Sequence, residues 1–378
     1  MTRKLLKGLL AFFSLLLVGA IAFVAYMETR EPGQTIQSPE TQPVQTQPAT
    51  TVPETTVPPT TTVPPEPERF LLTFTGDFTP GCMPGQFENP KAYVGTVGDD
   101  YEYPFAYMRQ FFENDDFTFI NLEVVMGLGV GKQANKTFVF SAPEEYVNIM
   151  TCSSVEAVTL ANNHTEDFGV EGYQNTIRIL EENGIAYVEE DKTSIFVTET
   201  GLTIGLYADS FDFKESDIQE NIASLREQGA EIIICAFHWG TEGAYRHNDK
   251  QERYAHAAID AGADMVVGHH PHVLQDMEEY NGKPIFYSLG NFSFGGNDHP
   301  KDYDSAIIQV EILREYDGAI TIAAINPIPI CISSVSDRNN YQPVPYEEGC
   351  EGYIRVMEKL EGTYSGPNVT PGYDYSRE

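Results

Sequence analysis

The stretch "SVEAVTLANNHTEDFGVEGYQNTIRILEENG", residues Ser154–Gly184, contains the pattern that decides the fold. It opens with a short apolar run and changes abruptly to two amides, a histidine and acidic residues. It then continues with apolar residues at helical spacing up to a glycine. The apolar run indicates a buried strand, and the later spacing with its glycine stop indicates an amphipathic helix. A strand, a polar loop and a helix in this order are typical of an α/β fold.

The same alternation extends on both sides of this stretch, from about Phe70 onward. Strands that alternate with helices predict an α/β fold with largely parallel strands. Two further stretches read as helices, "FAYMRQFFEN" and "DKQERYAHAAIDAG". The remaining apolar runs are predicted strands: "RFLLTFTGD", "DFTFINLE", "IAYVEE", "LTIGLYA", "EIIICAFHWG", "ADMVVGHH", "PIFYSLGNFSF" and "SAIIQVEIL".

Changes in composition divide the chain into four regions. Residues 1–30 are a predicted membrane anchor, and residues 31–67 are a Pro/Thr-rich linker that is too poor in apolar bulk to fold. Residues 68–330 are the predicted folded domain. Residues 331–378 are a C-terminal extension, for which an edge element and a short helix near "YIRVMEKLEG", packed on the domain, are expected.

The N-terminal region has the length and charge pattern of a membrane span. The twenty residues Gly8–Met27 carry no charge, enough to cross a hydrocarbon core of about 30 Å. Three basic residues precede them, which places the N-terminus in the cytoplasm. A cleavable signal peptide is the alternative, since Ala20-Ile21-Ala22 resembles a cleavage site. Either interpretation puts the folded domain outside the cell, and the uncleaved one predicts a single-pass protein of the cell membrane.

Charge and cysteine content exclude several classes of function. A net charge of −33 should repel nucleic acid, so no nucleic-acid partner is expected. Five cysteines are too few for a disulfide scaffold. Cys331 and Cys350 flank a turn-rich stretch and are a candidate pair, whereas Cys235 lies in an apolar run and is expected to be a buried thiol.

Polar residues follow five of the apolar runs, at the point where each predicted strand ends. In α/β sheets, functional sites lie beyond the carboxyl ends of the strands, so we expect these side chains at one edge. Carboxylate, amide and imidazole ligands without thiolate suit a divalent transition metal, with manganese favoured and iron or zinc as alternatives. Two such ions about 3.5–4 Å apart would suit phosphoester hydrolysis. The residues are Asp77, Glu123, Asn163, His164, His238, His269, His270 and His272.

Each of these residues also has a structural interpretation. Asp77 could be a turn residue or a helix N-cap, and Glu123 could be a surface acid. Asn163 and His164 could satisfy loop backbone groups, and His238 could be a packed core histidine. The triple "HHPH" is harder to explain without ligands. His247, His256 and His299 are predicted to be peripheral. The sequence contains neither a G-x-S-x-G nucleophile elbow nor a phosphate-binding P-loop.

Six motifs, in this order, resemble the CapA family of bacterial capsule or poly-γ-glutamate synthesis proteins, also called the PGA_cap domain. The resemblance spans roughly residues 70–330. It implies a four-layer α/β/β/α sandwich similar to the calcineurin-like metallophosphoesterases. The motifs are "GD" at Gly76-Asp77, "NLE" at Asn121–Glu123, "ANNHTEDFG" at Ala161–Gly169, "FHWGTE" at Phe237–Glu242, "GHHPHV" at Gly268–Val273 and "YSLGNFSF" at Tyr287–Phe294.

The resemblance also implies roles for individual residues. His164 would act as general acid or stabilise the leaving oxygen, with Asp167 orienting it. Glu242 and Asn291 would support the ligands or contact substrate. One departure is that Thr79 stands where the D-x-H motif has a histidine, and another is that Glu123 replaces an aspartate. The implied metal ligands are Asp77, Glu123, Asn163, His238, His269 or His270, and His272.

Three hypotheses for function remain open at this point. The first is a membrane-anchored protein that acts in synthesis, export or anchoring of an anionic surface polymer through a metal-dependent hydrolase-like site. The second is a general extracellular metallophosphoesterase that acts on a phosphoester substrate. The third is a non-catalytic scaffold that holds other membrane subunits of a polymer synthase, which the residue at position 79 mildly favours.

Overall fold

The structure, a computed structural model, describes residues 66–211 and 213–369. The predicted anchor and nearly all of the predicted linker lie outside these residues. Within the described part of the chain, no helix is both long enough and apolar enough to cross a membrane. The helices are α1 (Tyr93–Val97), α2 (Arg109–Phe112), α3 (Val147–Thr151), α4 (Gly169–Glu182), α5 (Glu215–Glu227), α6 (Asp249–Ala261) and α7 (Glu351–Leu360), with a 3₁₀ turn at Glu144–Tyr146.

The strands form two large mixed sheets and one small pair. The strands are β1 (Glu68–Thr79), β2 (Phe117–Leu122), β3 (Val125–Met126), β4 (Ser141–Ala142), β5 (Ala157–Thr159), β6 (Ala186–Val188), β7 (Lys192–Val197), β8 (Thr203–Ser210), β9 (Ile232–His238), β10 (Met265–His269), β11 (Met277–Tyr280), β12 (Lys283–Phe286), β13 (Asn291–Phe294), β14 (Asp304–Arg314), β15 (Ile320–Cys331) and β16 (Val344–Pro345).

The first sheet has the order β16-β15-β14-β1-β2-β5-β6, with β13 also paired to β1, and the second has the order β11-β12-β10-β9-β8-β7. The central pairs are parallel, as predicted. However, β14, β15 and β16 are antiparallel additions to one sheet, and β7 and β11 are antiparallel additions to the other. The expectation of largely parallel strands is therefore correct only for the centre of each sheet, because hairpins build the edges.

The buried residues place each sheet between a helical layer and the other sheet. One core contains Leu72 and Phe119 of the first sheet together with Leu206 and Ile234 of the second, so these two faces pack together. The opposite face of the first sheet shares a core with α1 to α4, and the opposite face of the second shares one with α5 and α6. Strands buried on both faces are continuously apolar, which explains runs such as "EIIICAF".

Two predicted elements differ in extent from the observed ones. The helix predicted for "FAYMRQFFEN" is only the single turn Arg109–Phe112, because the preceding backbone forms turn bonds such as Met108 N–H to the Phe105 carbonyl, 2.8 Å. The strand predicted for "PIFYSLGNFSF" is divided into β12 and β13. Gly290 between them has φ of +69°, which moves the chain from the second sheet to the first.

The C-terminal extension packs on the domain through α7. Val356 and Leu360 of this helix are buried in the core between the two sheets. The strand β15 ends at Cys331, so the sheet includes residues on both sides of position 330. Cys331 and Cys350 are both free thiols, and the candidate disulfide is absent. Cys350 instead caps α7 by accepting a hydrogen bond from the Tyr353 N–H. Cys235 is a buried thiol, as predicted.

Candidate metal centre

Asp77 lies near the end of β1 and is completely buried. Its Oδ1 accepts a hydrogen bond of 2.8 Å from the Asn121 side-chain amide, and its Oδ2 lies 3.1 Å from His272 Nδ1. The preceding residue must be glycine, because a Cβ at position 76 would lie 2.1 Å from the Gly290 carbonyl oxygen. Close approach of β1 and the loop before β13 thus gives Asp77 a fixed place among the imidazoles.

Glu123 is a buried side chain whose polar atoms lack hydrogen-bond partners. It follows β2 directly and is fully buried, yet neither carboxylate oxygen has a hydrogen-bond partner. Imidazole nitrogens surround its Oε1 at longer range: His238 Nε2 at 3.7 Å, His272 Nε2 at 3.9 Å and His164 Nε2 at 4.0 Å. A buried unpaired carboxylate is costly, so these distances describe a group that requires a cation.

His238 ends β9 and brings the second sheet to the cluster. Its Nε2 lies 2.7 Å from Asn163 Oδ1, in the loop after β5. Its Nδ1 lies 3.5 Å from the Asn121 amide nitrogen. Asn121 therefore joins Asp77 of β1 to His238 of β9, and the site lies where the carboxyl ends of strands from both sheets meet.

The segment "HHPH" after β10 enters the same cluster with a strained backbone. His270 and His272 have φ of +95° and +55°, unusual for residues with a side chain. His269 Nδ1 lies 3.3 Å from Asp77 Oδ1, and the buried His270 Nδ1 has no hydrogen-bond partner. Glu242, from the loop after β9, lies within 4.8 Å of His270 and His272, measured between ligand atoms. This backbone conformation directs both His270 and His272 towards the same cluster.

His164 and Asp167 form a buried pair beside Glu123. His164 Nδ1 lies 2.6 Å from Asp167 Oδ2, which also accepts a hydrogen bond of 2.8 Å from the Phe140 N–H. Lys136 donates to the Asn163 carbonyl and lies 3.1 Å from Asp167 Oδ1. Since Nδ1 faces Asp167, the Nε2 of His164 is the nitrogen that faces the cluster.

The electrostatics of the cluster favour one positive charge between two carboxylates. Burial raises the pKa of Glu123 well above its usual value, opposed by the charge of His272 and reinforced by that of Asp77. Burial also acts on Asp77, but the neighbouring His269 and His272 outweigh it and hold the pKa of Asp77 well below its usual value. Burial would lower the pKa of His272, yet the two carboxylates raise it to about 10. The carboxylates therefore favour a positive charge beside them, which a bound cation would also supply.

These residues fit a divalent transition-metal ion. The Glu123 oxygens and His269 Nε2 are buried and have no hydrogen-bond partner, so their lone pairs are available to a metal ion. Burial and the charges of neighbouring histidines hold the pKa of His238 well below its usual value, so this imidazole is neutral, as a ligand must be. Two groups of three residues are each compact enough to hold an ion. The first contains Asp77, Glu123 and His272, and the second contains Glu242, His270 and His272. The donor set of nitrogen and oxygen without sulfur suits manganese, iron or zinc.

An open cleft adjoins the cluster. Its walls are mainly apolar, while its base contains His164 and His272. A substrate could therefore place a polar reacting group at the cluster and an organic group against the walls. The lining residues are Phe138, Phe140, His164, Glu242, Gly243, Pro271, His272, Val273, Asn291, Phe294, Gly296, Asn297, Pro300, Lys301, Asp302 and Val369.

The structure brings the predicted site residues together, although not at one edge of one sheet. Asp77, Glu123 and Asn163 come from the first sheet, whereas His238 and His269 come from the second. Asn291 lies 3.0 Å from His272 Nδ1 through its side-chain oxygen. The three histidines predicted to be peripheral lie elsewhere: His247 beside Asp276, His256 beside Glu278, and His299 beside Asp298.

Two contributors were missed by the sequence interpretation. Asn121, in β2, stands two residues before Glu123, a spacing that directs both side chains to the same side of an extended chain, so its position could be predicted. Lys136 lies in an irregular loop between β3 and β4, where no periodic pattern marks it. Glu242, predicted to support the ligands or substrate, lies among them as a candidate ligand. Thr79 is buried in β1 and its hydroxyl has no partner, so it replaces the D-x-H histidine without supplying an equivalent ligand.

Comparison with known proteins agrees with the motifs. The chain is 28% identical over 305 residues to "Capsule biosynthesis protein CapA" of Bacillus anthracis, covering 72% of each chain. It is 30% identical over 262 residues to "PGA biosynthesis protein CapA" of Bacillus subtilis strain 168, covering 62% of this chain and 69% of that one.

Similar solved structures include two nucleotidases. The NAD nucleotidase of Haemophilus influenzae gives a TM-score of 0.41 at 13% identity, covering 79% of this chain and 63% of that one. The 5'-nucleotidase of Candida albicans gives 0.40 at 12% identity, covering 78% and 56%. Each match spans less than two thirds of the solved chain. A family profile matches residues 71–296, more than half of the sequence, and this chain therefore belongs to the family of the bacterial capsule synthesis protein PGA_cap.

Proposed function

We propose that this protein is a CapA-type accessory protein, acting in synthesis, export or anchoring of an anionic surface polymer through a metal-dependent hydrolase-like site. Membership in the PGA_cap family supports the polymer role, as do two relatives named for capsule biosynthesis and PGA biosynthesis. The observation that carries the metal-dependent site is Glu123, whose buried carboxylate has no hydrogen-bond partner and lies near imidazoles from three separate segments of the chain. The fold would be a four-layer sandwich of the metallophosphoesterase type.

The proposed ligands are Asp77, Glu123, Asn163, His238, His269, His270 and His272, with Glu242 as a further candidate. A divalent ion bound here would polarise a phosphoryl or carbonyl oxygen as a Lewis acid. The remaining chemistry belongs to the side chains. His164 Nε2 faces the cluster and would protonate the leaving oxygen, while Asp167 stabilises the imidazolium from Nδ1. Asn291, bonded to His272, would hold that ring in place.

The site would also allow a protein with a net negative charge to bind an anionic polymer. The whole chain carries a net charge of −33, so long-range attraction cannot concentrate an anionic polymer. Salt screens such fields beyond about 8–10 Å, which leaves local contacts to decide binding. The bound metal, together with Lys136 beside Asp167 and Lys301 in the cleft wall, would supply that local positive charge.

The proposal includes location and partners. The protein would be anchored in the cell membrane by residues 1–30, with the N-terminus in the cytoplasm and the domain outside. It would work beside other membrane subunits of a polymer synthase. Protease added to intact cells should digest the domain while leaving a cytoplasmic N-terminal tag protected. Protection of the domain would contradict this orientation.

The deciding experiment combines metal content with turnover. Purified full-length protein is stripped with chelator, reloaded with Mn²⁺, Fe²⁺ or Zn²⁺, and assayed on a chromogenic phosphodiester. We expect at least one ion per chain and turnover that depends on it. Bound metal without turnover of phosphoester or polymer would favour the non-catalytic scaffold, and turnover of phosphoesters without effect on polymer would favour a general phosphoesterase. Absence of metal binding would overturn the proposed site.

A further inference from the structure

The cleft beside the metal cluster is completed by residues that follow the region of the family match. That match ends at residue 296, whereas part of the cleft wall is formed by Pro300, Lys301 and Asp302. Val369 reaches the cleft from the C-terminal segment, more than seventy residues beyond the match. Part of the wall that would meet the substrate therefore comes from outside the region that carries the reacting groups.

The helix α7 fixes this outer wall to the core. Lys359 is 1% exposed, and its ammonium donates to Asp302 at 2.6 Å and to Asp304 at 2.7 Å. Arg355 donates hydrogen bonds to both oxygens of the Asp304 carboxylate. Asp302 lines the cleft, so a buried ion-pair network connects the C-terminal helix to the cleft wall. A network that is buried and fully paired holds its members in one arrangement.

Residues 363–369, which follow α7, continue along the loop that carries Glu242. The Tyr245 N–H donates to Asn368 Oδ1 at 3.1 Å, and the Val369 N–H donates to the Gly243 carbonyl at 3.0 Å. The ring of Tyr364 meets that of Tyr245 edge-on, with centroids 4.9 Å apart. These contacts seat the tail on the loop and aim Val369 at the cleft.

Gly243 is adapted to this contact. Its φ is +72°, and a Cβ at this position would lie 2.2 Å from the Val369 carbonyl oxygen. The residue also donates its N–H to the Pro271 carbonyl at 2.8 Å, so the same glycine joins the histidine segment to the tail. The close approach of tail and loop is therefore a built feature of the site.

We propose that the C-terminal tail, residues 363–369, is a substrate-selecting wall that contacts the organic group of a phosphoryl substrate. Val369 would contribute apolar surface opposite the aromatic and proline residues of the cleft, so the site would favour substrates with an apolar group beside the phosphoryl group. The inference rests on the proposed function only for the assumption that the substrate carries a phosphoryl group. The tail is a specificity-determining element and takes no part in metal binding.

The test compares two shortened chains with the full-length protein. One chain ends at Val369 and controls for loss of the last residues, and the other ends at Pro367 and lacks Asn368 and Val369. Neither change touches α7 or its buried lysine. Each Mn²⁺-loaded protein is titrated calorimetrically with phenylphosphonate and methylphosphonate, which share the phosphoryl group and differ in the organic group. Metal content and thermal midpoint are measured for each chain.

We expect the full-length chain and the chain ending at Val369 to prefer phenylphosphonate by about tenfold, the effect of apolar contact in a pocket. The chain ending at Pro367 should lose most of that preference with unchanged metal content. Equal preference in both shortened chains, or binding of neither phosphonate, would overturn the inference. Selective phosphonate binding without turnover of any phosphoester would support the substrate-selecting role of the tail and contradict hydrolase activity. The two proposals can therefore be tested separately.

Discussion

His164 Nδ1 and Asp167 Oδ2 lie 2.6 Å apart, and both side chains are buried beside the unpartnered carboxylate of Glu123. The carboxylate fixes which ring nitrogen is bonded, so Nε2 is left to face the cluster. The structure offers a matched pair outside the site, since His247 Nδ1 lies 3.0 Å from Asp276 Oδ2. The two pairs share their chemistry and differ in their surroundings.

Replacing Asp167 with asparagine should lower kcat by about 10- to 100-fold, because the imidazolium loses the carboxylate that orients and stabilises it. Metal content, measured by mass spectrometry, should be unchanged, because Asp167 is no ligand in the proposed set. Asp276→Asn is the control and should leave kcat near the original value. Equal effects of the two substitutions would show that the His164–Asp167 pair has no special role in turnover.

Asp77→Asn and His272→Ala should each lower metal affinity by more than about 100-fold, since each removes a donor from the buried cluster. Isothermal titration with Mn²⁺ after chelation measures this directly, without any need for turnover. His256→Ala, which changes a histidine that pairs with Glu278 outside the cluster, should bind metal normally. Normal affinity in both cluster variants would place the metal elsewhere or exclude it.

Glu156→Gln should stabilise the protein at pH 8 and not at pH 4. Burial raises the pKa of Glu156 to about 7, opposed by the hydrogen bond from the Thr118 N–H and reinforced by the charges of Glu199 and Asp116. The folded-state pKa exceeds the unfolded one, so the ionised carboxylate penalises the folded state. That penalty is absent below about pH 4.5 and complete above about pH 7.

We expect Glu156→Gln to increase the free energy of unfolding by about 1 kcal/mol at pH 8, as measured by urea unfolding. This value is smaller than the full pKa shift would give, because the carboxylate is partly exposed. Glu182→Gln is the control, since that side chain is 60% exposed and forms a surface ion pair with Arg178. It should change the free energy of unfolding by less than about 0.5 kcal/mol at either pH. A gain for Glu156→Gln that is the same at both pH values would contradict the electrostatic explanation.

Lys359→Met should destabilise the protein by about 3 kcal/mol, because Asp302 and Asp304 then lose a buried cation. The comparison is Lys283→Met, which breaks a partly exposed ion pair with Asp264 and should cost less than about 1 kcal/mol. Urea unfolding of both variants measures the difference. Similar small losses would mean that Arg355 alone holds Asp304 and that the lysine contributes little.

The donor atoms of the site could be predicted from sequence, since each polar residue directly follows an apolar run. Strand direction then makes the placement of Asp77, Glu123 and His238 at carboxyl ends a local property. The sequence could not predict that the Glu123 carboxylate lacks a hydrogen-bond partner, because this depends on which side chains of distant segments lie next to it. The predicted length of helix α2 was wrong. The apolar spacing is helical, but the residues before Arg109 form turn hydrogen bonds.

By itself, the sequence determined the class of the fold, its family and the chemical types gathered at strand ends, because periodicity and short motifs are local. Only the tertiary structure decided that two sheets share the site, that Lys136 joins it, and that Val369 reaches the cleft. The distance from Gly243 to Val369 along the chain is more than 120 residues, while a backbone hydrogen bond of 3.0 Å joins them. Such contacts arise from packing of the whole domain, which no short pattern encodes.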